Sequence, residues 1–326
     1  MIRISKDRST TNLVWKSFYV LTFFAIYFLS EYLLSYYIYG DQFYYINFYY
    51  ALRSSSVVEV PVIQYSNTGS AEPFYGYMIW LASNAGLEKT PLMAGVNGLF
   101  AVLVAATVRK LGGSIALVAI IFSNYYFIVL ITAAERLKFS YIAFCLVILA
   151  GGSLGRILFF STPLIHFQSA LTVASFGFAK LADALADQRK GLNWGHIKGL
   201  IGLSALTVFA LLAFLRFQER ILGKFQSNSE LGEGIDGIFQ ISVLAAASIL
   251  ISRKKIEAVL FFLPLVLLAA VLGGSRVNMI GFVILMYIGL INRRSLHPIL
   301  LALYIYFAYK SVGFIENILM FGVGYV

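Results

Sequence analysis

Long apolar stretches separated by short polar clusters make up most of this chain. The first stretch, Leu13 to Tyr39, exceeds the ~20 residues that a helix needs to cross the hydrocarbon core of a bilayer. The pattern predicts an all-α polytopic membrane protein that forms one integral membrane domain over residues 1–326. We expect eleven spans, some short or broken, near 13–39, 91–108, 114–133, 138–153, 157–166, 168–187, 199–215, 237–252, 257–273, 277–292 and 298–315.

Composition supports the same class. The chain is 60% hydrophobic and 12% charged, and its mean hydropathy of +0.82 lies outside the range of soluble domains. The formal net charge of +10 comes from basic residues dispersed as short clusters between apolar stretches, which is not the pattern of a nucleic-acid partner. By the positive-inside rule these clusters mark cytoplasmic ends. We therefore expect a multi-pass protein with a cytoplasmic N-terminus and membrane lipid around its spans.

This topology places two larger loops, near 40–91 and 216–236, on the outer, periplasmic side. Within the first loop, Pro73 to Gly86 is too short to cross and is interpreted as an interfacial or re-entrant helix. The segment 157–187 has to go out and back although Pro163 interrupts it. We therefore expect two short or tilted half-helices that bring His166 to the outer interface.

Arginines on the outer side are the first candidates for chemistry. Arg136 and Arg276 each lie at the mouth of an apolar stretch, where a guanidinium is costly to bury and usually functional. Guanidinium groups bind phosphate oxygens in pairs, so we expect these two to bind an anionic, lipid-linked substrate, with Arg216 and Arg220 as a second phosphate patch. The alternatives are an ion pair between Arg136 and Glu135, extension of an arginine to the interface, and a solvated face for the second patch.

Three outer residues are candidates for the catalytic acid or base: Glu72, His166 and Asp41. Desolvation raises the pKa of a carboxyl group, and Glu72, fixed by Pro73, is the preferred base, ahead of His166 and then Asp41. The alternatives are helix capping for the two acids and hydrogen-bonded packing for the histidine.

Tyrosines are dense on the same side. Tyr44, Tyr45 and Tyr75 are candidates for stacking on sugar rings, and the alternative is an aromatic belt at the level of the headgroups. The three histidines are scattered and no Asp-x-Asp pair occurs, so the pattern predicts no metal site and no cofactor. Cys145 lies in an apolar run, which is typical of a small buried hydrophobe.

Four motifs occur in order over about residues 10 to 190: Gly40-Asp41 followed by Tyr44 and Tyr45, Glu72-Pro73-Phe74-Tyr75, Arg136 after the aromatic run that starts at Asn124, and His166-Phe167-Gln168-Ser169-Ala170. In this order the chain resembles the Wzy-type O-antigen and exopolysaccharide polymerases, in particular the EpsG-like branch. It departs from their pattern by one extra residue before Ser169 and by lacking their Gly-Ile-Arg-Gln form around Arg136.

The resemblance implies a GT-C-like, metal-independent glycosyltransferase in the bacterial inner membrane, with an active site facing the periplasm. It also implies that the anion bound by Arg136, Arg276, Arg216 and Arg220 is a lipid diphosphate. It implies transfer of a glycan from undecaprenyl diphosphate onto a lipid-linked repeat unit, and a chain-length-regulating co-polymerase as a partner. An O-antigen ligase or another lipid-linked sugar transferase remains an alternative. A transporter or flippase fits less well, because such proteins usually carry internal repeats and more ionisable groups at mid-membrane.

Overall fold

The computed structural model describes residues 8–70, 72–186, 233–272 and 274–325, and within these ranges every regular element is an α-helix. The helices of the first part of the chain are α1 Arg8–Tyr36, α2 Asp41–Ala51, α3 Val60–Thr68, α4 Pro73–Asn84, α5 Lys89–Lys110, α6 Ile115–Phe122, α7 Tyr125–Thr132, α8 Glu135–Ala150 and α9 Gly152–Ile165. Those that follow are α10 Ser169–Ala186, α11 Glu233–Ile251, α12 Lys255–Leu272, α13 Gly274–Ile291 and α14 Pro298–Phe321.

Three described helices are long and apolar enough to cross a membrane: Asn12–Tyr36, Lys89–Lys110 and Pro298–Phe321. Helices α6 and α7 together form a fourth candidate, broken by a 62° bend. The chain is thus a helical protein with membrane-spanning character. The count among the described residues is three or four, which falls short of the eleven spans predicted, and 199–215 lies outside the described residues.

Local sequence explains where the apolar stretches break. The side chain of Asn124 accepts a hydrogen bond from the backbone N–H of Tyr126 and so starts α7 immediately after α6 ends. Gly151 and Gly152 both have positive φ, at 65° and 56°, a backbone conformation that glycine adopts without steric cost. They separate α8 from α9, which are only 16 and 14 residues long.

The predicted outer loop 40–91 is not an open polar loop. It folds into α2, α3 and α4, and the segment expected to be a re-entrant helix forms α4. The aromatic side chains of α2 and α4 form a buried core together with apolar side chains of α1, α3 and α5. The core consists of Leu34, Tyr45, Phe48, Tyr49, Leu52, Val60, Tyr75, Ile79 and Met93. Burial of this apolar area at about 25 cal/mol per Å² explains why the segment folds against the protein. Most of the second predicted loop, 216–236, lies outside the described residues.

The chain divides into two compact units. One contains the residues up to Phe167 together with Tyr304–Val326, and the other contains Gln168–Leu303. In the second unit, the ring of Phe176 lies 4.9 Å from that of Phe261 and 5.2 Å from that of Tyr287, which joins α10 to α12 and α13. All contacts of the candidate site described below lie within the first unit.

Candidate functional site

Three of the residues expected from the sequence to share a site meet in the first unit. Arg136 Nη1 lies 3.0 Å from Glu72 Oε2, and His166 Nδ1 lies 2.8 Å from Glu72 Oε1. The three side chains are 64 and 94 residues apart along the chain, and each residue is at most 9% exposed. We call Glu72, Arg136 and His166 the site cluster.

Helix ends supply all three residues. Glu72 precedes α4, where Pro73 occupies the first turn, a position that proline favours because its missing N–H would have no partner there. Arg136 is the second residue of α8. His166 terminates α9, where its backbone N–H bonds to the carbonyl of Thr162. The expected break of the helix at His166 is therefore present, and Pro163 lies inside the last turn of α9 rather than interrupting it.

Polar neighbours complete the surroundings of the cluster. Ser70 Oγ donates to Glu72 Oε2, and Gln64 Nε2 lies 3.5 Å from the same oxygen. Tyr45 Oη lies 3.5 Å from Arg136 Nε. Among the described residues, the hydrogen bonds of Arg136 thus involve Nη1 and Nε, and 11% of its side chain is exposed. Its remaining N–H groups suit a further acceptor such as a phosphate oxygen.

The electrostatics of Glu72 differ from the sequence-based expectation. Burial alone raises the pKa of Glu72, but the hydrogen bond from His166 and the charge of Arg136 outweigh that effect and hold the pKa well below its usual range. The expected rise in its pKa is therefore wrong, and a carboxylate with a low pKa is a weak proton acceptor near neutral pH. An ionised carboxylate only accepts hydrogen bonds, so Nδ1 of His166 carries a proton.

A second buried cluster lies beside the first and centres on Glu135, the first residue of α8. Lys89 Nζ lies 2.7 Å from Glu135 Oε1, and Gln42 Nε2 lies 2.9 Å from the same oxygen. Tyr75 Oη donates to Glu135 Oε2 at 2.9 Å. Arg136 therefore does not pair with Glu135, which was the alternative drawn from the sequence.

Lys138 extends the polar contacts along α5 and α8. Its ammonium donates to Asn97 Oδ1 at 2.6 Å, and Asn97 donates in turn to the carbonyl of Ile131. Lys138 and Asn97 have no exposed surface, and Asn97 lies on the candidate span Lys89–Lys110. Lys138 is thus buried against a candidate span, where an ionisable group costs about 2.5 kcal/mol or more and is usually functional.

The tyrosines expected to stack on sugars differ in their surroundings. Tyr75 is 1% exposed, and its ring packs against those of Phe48 and Phe139. Tyr45 is also buried and faces Arg136. Sugar stacking is therefore the wrong interpretation for Tyr75 in this structure, and only Tyr44, 54% exposed, presents an open ring.

The other expected residues are not part of the site cluster. Asp41 is the first residue of α2, where a carboxylate interacts favourably with the helix dipole, and no described hydrogen bond joins it to Glu72, Arg136 or His166. Arg276 lies on α13, and its side chain lies outside the described part of the structure. Arg216 and Arg220 lie outside the described residues altogether.

Sequence reasoning missed Lys89, Lys138 and Gln42. One signal was present: Lys89 and Lys138 each stand at the edge of an apolar stretch, where a charged residue is worth attention. Gln42 carries no signal of its own. Within the described ranges, no group of three or more His, Cys, Asp or Glu side chains could hold a metal ion.

Comparisons with known proteins identify no relative. No protein-family model matches the chain, and neither the curated proteins nor the solved structures contain a match.

Proposed function

We propose that this protein is a metal-independent glycosyltransferase of the O-antigen or surface-polysaccharide polymerase type, acting at the periplasmic face of the bacterial inner membrane. It would transfer a glycan from undecaprenyl diphosphate onto a lipid-linked repeat unit. The observation that carries the proposal is the meeting of Glu72, Arg136 and His166, which come from three of the four motifs that resemble the polymerases. A GT-C-like topology is part of the same proposal.

The chemistry needs a base for the acceptor hydroxyl and cations for the leaving group. With its proton on Nδ1, a neutral His166 accepts the hydroxyl proton at Nε2. The acceptor oxygen then bonds to the anomeric carbon of the donor. The bond from that carbon to the phosphate oxygen breaks, and undecaprenyl diphosphate leaves with the electron pair. In this scheme Glu72 orients the imidazole ring and stabilises the imidazolium that forms.

Arg136 serves the leaving group. A positioned guanidinium neutralises charge that develops on phosphate oxygens, and it stays protonated when buried. Three buried cationic side chains, Lys89, Arg136 and Lys138, lie within or beside the two clusters, against the two carboxylates Glu72 and Glu135. A formal excess of positive charge in a buried site favours an anionic ligand over a neutral one.

The test is a reaction with purified protein in nanodiscs and undecaprenyl-diphosphate-linked repeat units from the native host. We expect a ladder of products spaced by one repeat and stoichiometric release of undecaprenyl diphosphate. His166→Ala should abolish the ladder while substrate binding persists. A product formed only when lipid A core is added would identify a ligase instead. Absence of any transfer, with folded protein and intact substrate, would refute the proposal.

Deletion of the gene gives a second, independent measurement. Loss of a polymerase leaves lipopolysaccharide capped by a single repeat, whereas loss of a ligase or flippase leaves the core without a cap. Banding of lipopolysaccharide from the deletion strain, and from the same strain carrying Arg136→Ala, therefore separates these classes. Full-length banding in the deletion strain would exclude the proposed role in that pathway.

A further inference from the structure

The first turns of α4 and α8 are joined by two polar contacts side by side. Glu72 at the start of α4 pairs with Arg136 at 3.0 Å, and Tyr75, three residues later, donates to Glu135 at 2.9 Å. Glu135 and Arg136 are consecutive in the chain. The position of the Tyr75–Glu135 contact therefore determines how the neighbouring Glu72–Arg136 contact is aligned.

Glu135 is held from two further helices. Lys89 of α5 and Gln42 of α2 both donate to its Oε1, and Lys89 also donates to Gln42 Oε1 at 2.6 Å. Gln42 donates in addition to the carbonyl of Thr132, just before α8. All of these residues are at most 6% exposed, so water does not compete for their hydrogen bonds. The first residue of α8 is thus fixed relative to α2, α4 and α5.

Tyr75 is fixed just as firmly by packing. Its ring stacks on Phe48 at 5.9 Å and meets the edge of Tyr45 at 6.1 Å. Tyr45 in turn lies within 3.5 Å of Arg136 Nε. The ring of Tyr75 therefore touches a neighbour of Arg136 while its hydroxyl binds the residue before Arg136.

The two carboxylates also keep Arg136 directed toward the site. Successive residues on a helix point about 100° apart, and both oxygens of Glu135 already accept hydrogen bonds from Lys89, Gln42 and Tyr75. Because both oxygens of Glu135 already have donors, the guanidinium of Arg136 contacts Glu72 instead. A change that leaves Glu135 Oε2 without a donor would make it a competing acceptor for the guanidinium.

We infer that Tyr75 and Glu135 are positioning residues: they align the first turn of α4 with that of α8 and so set the geometry of Glu72, Arg136 and His166. The inference rests on the proposed function only for its rate measurement. A misplacement of about 1 Å in a catalytic arrangement can cost about 10²-fold in rate. The contribution of Tyr75 should accordingly appear as lost turnover, transmitted through Arg136.

Tyr75→Phe tests this with the smallest change, because it keeps the ring and removes only the oxygen. Ser83→Ala is the matched control: it removes another buried hydroxyl of α4, which donates to the carbonyl of Tyr49 at 2.8 Å, at the opposite end of the helix. We expect Tyr75→Phe to lower turnover about 10-fold or more and Ser83→Ala to change it less than about 2-fold.

A double-mutant cycle with Arg136→Lys separates positioning from general stability. If Tyr75 acts through the guanidinium, its removal should cost less than about 2-fold once Arg136 is lysine, because residues that act as a unit are not additive. If the Tyr75 hydroxyl contributed only to stability, Tyr75→Phe would lower turnover by the same factor in the wild-type protein and in the Arg136→Lys variant. Equal factors would overturn the inference even if the polymerase activity is present.

A spectroscopic measurement decides the inference when no activity is found. The chain has three histidines, so ¹⁵N-imidazole spectra can be assigned with His196→Asn and His297→Asn. We expect Tyr75→Phe to shift the Nδ1 resonance of His166, because the hydrogen bond to Glu72 changes, whereas Ser83→Ala leaves it in place. An unmoved resonance in Tyr75→Phe would overturn the inference. An inactive wild-type protein with the expected shift would refute the proposed function alone.

Discussion

Removing Arg136 should destabilise the protein strongly, and removing its partner as well should restore most of the loss. Glu72 is buried and its Oε2 lies 3.0 Å from Arg136 Nη1. Breaking a buried ion pair from one side typically costs about 3–5 kcal/mol, because the remaining charge is left without compensation. Glu72 keeps His166, Ser70 and Gln64 as neighbours, so we expect Arg136→Met to fall near the lower limit of that range.

The double variant Arg136→Met with Glu72→Gln should recover to within about 1 kcal/mol of the wild type, because no uncompensated charge remains. It should nevertheless stay inactive, since two of the three members of the site cluster have changed. The control pair is Lys254 and Glu257, whose atoms lie 3.6 Å apart with the lysine side chain 61% exposed. Lys254→Met should cost less than about 1 kcal/mol, as solvated pairs usually do.

The assay is the free energy of unfolding of purified protein in mixed micelles, followed by tryptophan fluorescence during titration with dodecyl sulfate. Two results would refute the reasoning. If Arg136→Met costs no more than Lys254→Met, water screens the pair and the cluster is not effectively buried. If the double variant is as unstable as the single one, the loss comes from the packing of the arginine stem and not from an unpaired carboxylate.

Three further predictions follow from the same geometry. Gly76→Ala places a Cβ against the buried side chain of Gln64 and should destabilise by about 1–3 kcal/mol. Gly95→Ala, with open space around it, should stabilise by up to about 1 kcal/mol; equal effects in thermal unfolding would contradict this. Because the folded-state pKa of Glu72 is lowered from 4.5, its stabilisation is fully present above that pH and is lost as the pH falls below it. Glu72→Gln should therefore weaken the loss of unfolding free energy as the pH falls from about 4.5 to about 3, and an unchanged slope would contradict the lowered pKa. His166→Ala should remove measurable turnover, whereas Glu72→Gln should lower the rate by about 10²-fold or more and leave turnover detectable. Turnover that persists without His166 would assign the base elsewhere.

The sequence predicted which residues meet better than it predicted how they interact. Glu72 and Arg136 each precede an apolar stretch and His166 ends one, so hydropathy and the positions of the basic clusters together placed them on the same side. Their pairing could not be predicted, since Arg136 has an acid next to it in Glu135 and the choice of Glu72 depends on the contacts of Lys89 to Glu135. The sign of the pKa shift of Glu72 follows from that pairing and was unpredictable for the same reason.

The count of membrane spans failed for a different physical reason. Hydropathy measures how apolar a stretch is, and it does not register backbone breaks within it. Ser123 and Asn124 divide one apolar stretch into α6 and α7 at a 62° bend, and the paired glycines at 151 and 152 end α8 after 16 residues. An apolar residue that packs on protein also has the same hydropathy as one that faces lipid. The aromatic segment after Gly40 was therefore assigned to a loop or a headgroup belt, although Phe48 and Tyr49 are fully buried in the first unit.

The buried acids of the site serve folding as well as any chemistry. Glu72 precedes α4 and Glu135 begins α8, and a carboxylate at a helix N-terminus is stabilised by the helix dipole. Each acid also neutralises a buried cation. If truncation of Glu72 or Glu135 to alanine abolished activity, the loss could therefore come from unfolding, from the missing charge or from misalignment of the site, and the assay would not distinguish these causes. Only variants that keep shape and change one property, such as Glu72→Gln and Tyr75→Phe, assign the cause, because the remaining contacts of each helix end stay in place.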